Sequence, residues 1–487
     1  MKTDRPIGYV WKSDLDLYQK KFPQLDWKPQ KHISELYKLI QEEAQKEKSS
    51  IALICFPIVT VPVISQRGWL MSLENEFTEL ELSRYLSMGL RLLTEDGQLF
   101  GIPEDINLFG FFYHRLHKLK KLFKPPESWD ELINTLSELR QNHNELGLQI
   151  ELNTRYDNHA LIWLLLHSNG VETRSLEFDY SFNKKKLDEV FQFMSVLKEQ
   201  ENAIPLSTLE NYSKGSPREG RPESPLFYLG WLSNLTSSMR KSQETYLLSF
   251  PKGSAQGQTA FPVSGSAWTI PKKSQFKDIA IKTIKGIHES GFAKKNELQG
   301  NINLPSLKEF WEDKQILKRH PVLHSASILT DSGSCVTQKF FHSNIVSLAS
   351  SIRKGLVDNL TSEQWTQRIQ KSMPWENKEY KNSTVQKVIS FIGERLGVLK
   401  NLDEVSAFAK LSSNHLNRLF KKELGCTCWD YVIQLRMERA KDLISTSQLS
   451  IKEISYQMGF KKASSFTRSF QKHFGVSPTS FRDEPFF

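Results

Sequence analysis

Two segments near the C-terminus repeat a pattern of side chains that donate and accept hydrogen bonds. The outward positions include Asn414, Asn417, Arg418 and Lys421 in the first segment, and Ser464, Thr467 and Arg468 in the second. Such groups suit the base edges and phosphates of DNA. An arginine can hold O6 and N7 of guanine together, so Arg418 and Arg468 are the leading candidates for reading bases. The alternative for either arginine is a phosphate contact, which positions the protein without reading sequence.

The surrounding residues predict that each pattern lies on the second helix of a helix-turn-helix unit. The units span Leu402–Lys422 and Ser450–His473, and a connecting helix, Trp429–Ser445, lies between them. Ser450 and Glu453 have the spacing of a capping box, which marks a helix start. Apolar residues at helical spacing supply the inward faces, namely Leu416, Leu419 and Phe420 in one unit and Phe466, Phe470 and Phe474 in the other.

Positive charge is concentrated in the same part of the chain. Residues 383–487 hold 16 Lys and Arg against 10 Asp and Glu, whereas the preceding residues hold 49 against 45. The whole chain carries a net charge of +10 at pH 7. A basic excess around helices that carry hydrogen-bonding groups favours double-stranded DNA as the partner, because cationic side chains release counterions from its phosphates.

This segment resembles the DNA-binding domain of AraC/XylS-type transcriptional regulators. The matching motifs include Leu416-x-Arg418-Leu419-Phe420, Leu435-Arg436-x-x-Arg439-Ala440, Phe466-x-Arg468-x-Phe470 and Phe474-Gly475-Val476-Ser477-Pro478. The resemblance implies a seven-helix domain over residues 383–487, with two recognition helices in major grooves about 10 bp apart. It also implies the seven polar residues above as DNA contacts, and activation through RNA polymerase.

The segment departs from that family at two turns. Lys410 stands where the family has glycine in the turn of the first unit, and Lys461–Lys462 replace the usual cap before the second recognition helix. The paired lysines lose a cap but add charge near phosphates. We therefore expect looser sequence readout and stronger non-specific affinity.

Strand-like and helix-like stretches alternate before residue 375, which favours α/β architecture. The predicted strands are Ile7–Trp11 and Ile51–Phe56, and the predicted helices are Ser34–Lys46, Asp130–Leu139, Leu161–His167 and Lys185–Lys198. This part of the chain is left as the candidate for whatever controls DNA binding.

The order of short motifs in this part resembles bacterial extracellular solute-binding proteins of the sugar type. The motifs are Tyr18-Gln19-Lys20-Lys21-Phe22-Pro23, Gly68-Trp69-Leu70-Met71-Ser72-Leu73, Asp96-Gly97-Gln98-Leu99-Phe100-Gly101-Ile102-Pro103, Pro125-Pro126-x-x-Trp129-Asp130-Glu131-Leu132, Leu229-Gly230-Trp231 and Ser264-Gly265-Ser266-Ala267-Trp268. The resemblance implies a periplasmic-binding-protein-like fold of two α/β lobes with a ligand cleft between them. The whole chain is then multidomain, with this two-lobed sensor followed by an all-α double helix-turn-helix domain.

The resemblance also sets expected boundaries and ligand contacts. The sensor would cover residues 1–375, with lobe one at 1–103 and 262–310, lobe two at 104–261 and a helical tail at 311–375; residues 376–382 would be a linker. The expected cleft residues are Trp268, Trp231, Asp105, Asn107 and Phe56. The indoles would stack on a small solute, a saccharide above all, and the polar groups would bind its hydroxyls. The alternative for each tryptophan is packing within a lobe.

Several function classes are disfavoured by the sequence. There is no phosphate-binding glycine loop, metalloprotease motif or nucleophile elbow, so we expect neither an enzyme nor a cofactor. The four cysteines show no zinc spacing. The longest apolar run, Ile51–Ile64, contains two prolines and is too short to span a membrane, so no membrane partner is expected. The N-terminus lacks an export signal, and the expected location is the cytoplasm.

The sequence leaves two other hypotheses beside a ligand-responsive regulator. The sensor could instead be a protein-docking or dimerisation module without a small-molecule ligand, and a homodimer is compatible with either hypothesis. A hydrolase or transferase joined to a DNA reader is the third, although no nucleophile and base occur together in a known motif. Loss of a ligand response on replacing Trp268 and Trp231 would distinguish the sensor from the docking module.

Overall fold

The computed structural model describes residues 5–12, 14–30, 33–115, 124–143, 147–150, 155–171, 184–199, 226–235, 239, 242, 244–258, 261–299, 303–326, 343–369, 383–424, 426–446, 449–474 and 477–483. The chain divides into two compact units. Residues up to Leu360 make up most of the first, and Thr361–Phe487 make up most of the second. Among the described residues no helix combines the length and apolar character that crossing a membrane requires.

The first unit mixes strands and helices, as the alternating sequence pattern predicts. Its strands are β1 (Ile7–Trp11), β2 (Asp26–Gln30), β3 (Ile51–Pro57), β4 (Thr94–Glu95), β5 (Gln98–Leu99), β6 (Ile102–His114), β7 (Leu148–Ile150), β8 (Phe227–Trp231), β9 (Thr245–Leu248), β10 (Val263–Thr269) and β11 (Leu304–Pro305). Its helices are α1 (Leu15–Lys21), α2 (Ile33–Gln45), α3 (Val61–Gln66), α4 (Glu79–Ser83), α5 (Ser87–Leu92), α6 (Trp129–His143), α7 (Arg155–Ser168), α8 (Lys184–Glu199), α9 (Lys277–Ile287), α10 (Ser290–Gln299), α11 (Lys314–Arg319) and α12 (Ser343–Val357). Short 3-10 helices lie at Ile58–Thr60, Leu232–Asn234 and Lys308–Phe310.

Lobe one is built on a mixed sheet in the order β2-β1-β3-β10-β6. Strands β2, β1 and β3 run parallel, and β10 lies antiparallel between β3 and β6. Residues 51–56 of β3 are all buried. Such an unbroken apolar run is typical of a parallel strand covered on both faces. The carboxyl ends of β1 and β3 lie at the same edge of the sheet, because these strands run parallel.

Lobe two shares the long strand β6 with lobe one. Residues 102–108 of β6 pair with β10, whereas residues 109–113 pair with β8 and residues 111–114 pair with β9. Strand β7 adds to β8 in parallel. Because one continuous strand runs through both sheets, residues 105–109 lie where the lobes join. The expected two-lobed α/β fold is confirmed.

All the regular secondary structure described in the second unit is helical. Its helices are α13 (Ser362–Ile369), α14 (Ser383–Arg395), α15 (Leu402–Ala409), α16 (Ser413–Leu424), α17 (Cys428–Thr446), α18 (Ile451–Gln457), α19 (Ala463–Phe474) and α20 (Pro478–Asp483). Seven of them lie within residues 383–487, as the resemblance implies. Helix α13, which falls within the expected sensor tail, groups with this second unit. The expected linker at 376–382 lies outside the described residues.

Two apolar cores stabilise the second unit, one for each helix-turn-helix. Residues of α14, α15, α16 and the start of α17 form the first core, around Val405, Leu416 and Phe420. The rest of α17 joins α18 and α19 in the second core, around Phe466 and Phe470. Helix α17 thus supplies side chains to both cores and is the only helix that these two cores share among the described residues.

Candidate functional site

The strands that join the two lobes carry a line of polar side chains on one face. Asp105 and Asn107 alternate along β6, and Ser266 and Ser264 pair with them on β10. Paired residues of an antiparallel ladder share a face, and so do alternate residues of one strand, so these four side chains lie together. We call these four residues the crossing cluster. Asn107 and Ser264 are partly exposed.

An aromatic side chain lies at each end of the crossing cluster. In lobe one, the half-buried Trp11 ends β1, and its Nε1 donates to Oγ of Ser266 at 2.9 Å. In lobe two, Trp231 ends β8 and pairs with Phe109, with ring centroids 5.3 Å apart. Trp231 is 7% exposed. Hydroxyl, amide and carboxyl groups between two indoles match the needs of a saccharide, whose apolar faces stack while its hydroxyls hydrogen-bond.

Asn107 lies where the lobes join and bonds to Ser233 through its side-chain amide. Its Nδ2 donates to Oγ of Ser233 at 2.9 Å, and its Oδ1 accepts from the backbone N–H of Ser233 at 3.2 Å. Ser233 follows β8 and is partly exposed. A ligand hydroxyl that binds Asn107 must therefore share this amide with Ser233.

Asp105 is a buried carboxyl with an unusual acidity. Its Oδ1 accepts from the backbone N–H of Ser266 at 2.9 Å. Burial, followed by the nearby charge of Glu104, raises the pKa of Asp105 to about 7. The hydrogen bonds from the Asn303 side chain and from the Ser266 backbone act in the opposite direction but are outweighed. Near neutral pH this group can either donate to a ligand or accept from it.

The neighbouring Glu104 has the opposite character. It accepts from the hydroxyl of Tyr18 at 2.5 Å and from Nε1 of Trp268 at 2.5 Å, and it lies 3.4 Å from Nε2 of His288. Burial alone would raise the pKa of Glu104, but these donors outweigh burial, so its pKa lies below the ordinary value. Glu104 is held within lobe one as an ionised acceptor, and the register of β6 against β10 is irregular beside it.

Trp268 does not lie in the cleft, contrary to the expectation from sequence. It is 0% exposed, and its ring packs against Tyr18 of α1 and Trp27 of β2 at centroid distances of 5.4 and 5.9 Å. Phe56 is equally buried and pairs with Ala267 inside the sheet of lobe one. The predicted ligand contacts of these two rings do not fit this structure, because neighbouring side chains already cover them.

The two recognition helices of the second unit, α16 and α19, present the same burial pattern along their length. Leu416 and Phe420 in α16, and Phe466 and Phe470 in α19, face the two cores. The exposed side chains are those expected to meet DNA, namely Asn414, Arg418, Lys421, Ser464 and Arg468, while Asn417 and Thr467 are half-buried. Apart from Asn417 and Thr467, the predicted DNA contacts are therefore exposed to solvent, on the same face of each helix.

Asn417 also has a structural role that the sequence does not indicate. Its Oδ1 accepts from the backbone N–H of Cys428 at 3.0 Å, at the start of the connecting helix α17. This bond satisfies a backbone donor that a helix leaves without an intrahelical partner. A base contact by Asn417 can use the amide nitrogen of the side chain, which takes no part in this bond.

The supporting helices begin and end as their residue types require. Asn401 caps α15 by accepting from the backbone N–H of Glu404 at 3.2 Å, and Ser450 and Glu453 form the predicted capping box at α18. The turn after α15 places Lys410 in the left-handed region at φ 53°, and the turn after α18 places Gly459 at φ 73°. The second turn fits glycine, whereas the first is strained.

Sequence reasoning missed Trp11, Ser264 and Ser266 in the first unit. A signal was present, because Trp11 ends a predicted strand and ligands of α/β folds bind beyond the carboxyl ends of parallel strands. The serines lie on the return strand, whose pairing with β6 is a long-range feature of the fold.

Comparison with known proteins gives matches for both units. Residues 27–286, more than half of the chain, match the family model for bacterial extracellular solute-binding proteins, and residues 405–484 match a helix-turn-helix domain model. The chain belongs to the bacterial extracellular solute-binding protein family. At its C-terminus it carries a helix-turn-helix domain of the AraC type.

Curated relatives match about a fifth of the chain. They include the Msm operon regulatory protein of Streptococcus mutans, 31% identical over 23% of this chain and 41% of that protein. The lactose operon transcription activator of Staphylococcus xylosus is 32% identical over 21% of this chain and 36% of that protein. The probable transcription factor PqrA of Proteus vulgaris is 35% identical over 17% of this chain and 67% of that protein. The chain thus spans about two fifths of the length of the first two relatives.

Solved structures resemble the larger part of the chain. Maltose-bound MalE3 of T. maritima is similar over 74% of this chain and 97% of its own, with a TM-score of 0.58 and 16% identity. The GacH receptor of Streptomyces glaucescens is similar over 74% of this chain and 96% of its own, with a TM-score of 0.56 and 14% identity. At such low identity these similarities establish the fold.

Proposed function

We propose that this protein is a transcriptional regulator that binds DNA through α16 and α19 and responds to a saccharide bound between its sensor lobes. The proposal rests on one observation. The chain combines a solute-binding fold with two recognition helices whose residues are buried and exposed in the same order. The names of relatives include operon regulators for lactose and melibiose, and the structural neighbours include maltose-bound and acarbose-bound proteins. These names support a sugar as the effector class.

The proposed ligand contacts are Asp105 and Asn107 on β6, with Trp231 on the side of lobe two and Trp11 on the side of lobe one. Each group lies on or beside the crossing cluster, where the lobes join. A ligand there can change the affinity for DNA only if it binds the two DNA-affinity states differently. The proposed DNA contacts remain the seven polar residues of α16 and α19.

The proposed role as a regulator also includes catalytic activity and location. We propose that the chain has no catalytic activity and acts in the cytoplasm, where the chromosome lies. Recruitment of RNA polymerase and formation of a homodimer are included as proposals supported by the AraC-type resemblance.

The test begins with a thermal unfolding screen of the full chain against mono- and oligosaccharides. A ligand of the folded state raises the melting temperature by mass action. Duplexes selected from a random DNA library are then bound with and without the hit. A stabilising sugar that changes DNA affinity supports the proposal, and a panel without any hit contradicts the saccharide sensor.

Variants then locate the ligand. Trp11→Ala and Asn107→Ala should weaken sugar binding about 10- to 100-fold, since each removes a contact worth about 1–3 kcal/mol. DNA binding without sugar should stay unchanged. The matched control is Tyr246→Ala, which removes an exposed aromatic side chain of lobe two away from the crossing cluster. Equal weakening in all three variants would count against the cleft.

The second candidate function is a docking or dimerisation module in place of the sensor. It is favoured by the side-chain amide of Asn107, which already bonds Ser233 where the lobes join. In that case Trp11→Ala and Asn107→Ala would leave every DNA and sugar measurement unchanged. The oligomeric state, measured by analytical ultracentrifugation, would then show whether the module pairs two chains.

A further inference from the structure

The distance between the two recognition helices is not set by a common apolar core. Helix α16 packs in the first core and α19 packs in the second. Helix α17 passes between them and contributes Val432 to the first core and Met437 to the second. Each helix-turn-helix with its core forms one half of the domain. A single helix can bend or roll against each core, so some other contact must fix how the two halves are oriented.

Arg436, near the middle of α17, makes such a contact. Its Nε donates to the carbonyl oxygen of Leu396 at 3.0 Å, and its Nη2 donates to the carbonyl oxygen of Leu399 at 2.5 Å. Both carbonyls belong to the first half, in the loop between α14 and α15. On the other side, Nη1 donates to the carbonyl oxygen of Gly459 at 3.5 Å, in the turn that leads to α19. The side chain is buried, at 2% exposure.

Aromatic rings from both halves complete the surroundings of this guanidinium. Its central carbon lies 5.4 Å from the ring centroid of Trp429 and 5.8 Å from that of Phe460. Trp429 packs against the first core and Phe460 against the second. Arg436 is thus bound to both halves by hydrogen bonds and by ring contacts, and a buried guanidinium holds such geometry because its donors are planar and fixed.

Two glycines bring the backbones of the halves together beside Arg436. A Cβ on Gly397 would lie 2.4 Å from the carbonyl oxygen of Gln457 in α18. A Cβ on Gly459 would lie 2.5 Å from Nη2 of Arg436. The contact between the halves is therefore close enough that one methyl group must move them apart.

We propose that Arg436, with Gly397 and Gly459, sets the spacing of DNA half-sites that this protein accepts. The inference rests on the proposed DNA binding by α16 and α19. Moving one half-site by one base pair shifts it by about 3.4 Å and rotates it by about 35° around the duplex. Rigidly joined halves cannot follow that rotation, whereas loosely joined halves can. Arg436 is a positioning residue for DNA recognition and touches no base itself.

The test selects bound duplexes from a random DNA library with the full-length chain and its variants. Wild type should enrich two short motifs at one spacing, and its affinity should fall about 10-fold or more when one base pair is inserted between them. Arg436→Lys and Gly397→Ala should enrich the same motifs over a broadened range of spacings, with less than about a 3-fold loss on insertion. The matched control is Gly393→Ala, where an added Cβ meets nothing within 4 Å.

The outcomes separate positioning from simple structural support. If both variants bind more weakly but keep the single spacing of wild type, the proposal is overturned. If Arg436→Lys fails to fold, as thermal unfolding would reveal, Gly397→Ala decides the question alone. If wild type enriches no motif, the proposed DNA reading fails and this inference fails with it; a single motif without a partner overturns only the spacing role.

Discussion

Replacing Asp105 with asparagine should stabilise the protein, and the gain should grow with pH. The pKa of this carboxyl rises from an ordinary value of 3.8 to about 7 in the folded state. Because the folded state holds the proton more tightly than the unfolded state, the free energy of unfolding falls as pH rises from about 4 to about 7. A rise of about 3 in the pKa corresponds to a penalty of about 4 kcal/mol above pH 7.

The amide that Asp105→Asn introduces does not titrate, and it keeps an oxygen that can accept from the backbone N–H of Ser266. The variant should therefore exceed wild type by about 2–3 kcal/mol more at pH 8 than at pH 5. The measurement is urea unfolding of the full chain at both pH values, followed by tryptophan fluorescence. Eight of the eleven tryptophans precede residue 360, so the signal reports mainly the first unit.

The neighbouring carboxyl supplies a control with the opposite sign. Glu104 has a lowered pKa, so its stabilising effect is present above its unfolded value near 4.5 and is lost as pH falls through the folded value. Glu104→Gln removes the charge that Tyr18 and Trp268 bind, and should cost about 2 kcal/mol or more at pH 7. The reasoning is refuted if Asp105→Asn destabilises the protein at pH 8, or if its gain is the same at both pH values.

Four further substitutions test the described packing and helix faces. Lys410→Gly should raise the free energy of unfolding of the second unit by about 0.5–1 kcal/mol, because glycine relieves the left-handed strain at φ 53°; an unchanged urea midpoint would argue against strain. Asn417→Ala should cost about 1 kcal/mol of stability, because it removes the bond to the start of α17. Arg418→Ala should leave stability unchanged and weaken specific DNA binding by about 1–3 kcal/mol. Urea unfolding and DNA titration measure both effects, and a stability loss in Arg418→Ala without one in Asn417→Ala would disprove these roles. Trp268→Phe should lower the free energy of unfolding by about 2 kcal/mol but leave sugar affinity unchanged, and a selective loss of sugar affinity by calorimetry would restore Trp268 to the cleft.

The spacing of apolar residues along the sequence predicts the positions of several helices and strands. Strand β1 has the predicted bounds, and α2 and α8 agree with their predicted bounds to within one residue. Helix α6 extends beyond its predicted end at Leu139 to His143, because the polar residues there continue the helix without an apolar signal. The capping box at Ser450 could also be predicted, because Ser450 and Glu453 lie within one helical turn of each other.

The exposed faces of the recognition helices were equally readable from sequence. Apolar residues recur at helical spacing, so the polar residues between them must face away from the core. This periodicity placed Arg418 and Arg468 on the outside, where the structure has them. Whether they bind bases or phosphates stays a prediction.

Tertiary structure alone decided which tryptophan is covered by its neighbours and which carboxyl has a raised pKa. Nothing local distinguishes Trp268 from Trp11, yet α1 and β2 cover the first, and the second lies at the open end of β1. Glu104 and Asp105 are neighbours of similar chemistry, but their pKa values move in opposite directions, because one meets donors from distant elements and the other meets mainly burial and a like charge. Several of these contacts join residues more than a hundred positions apart in sequence, so periodicity and spacing cannot report them.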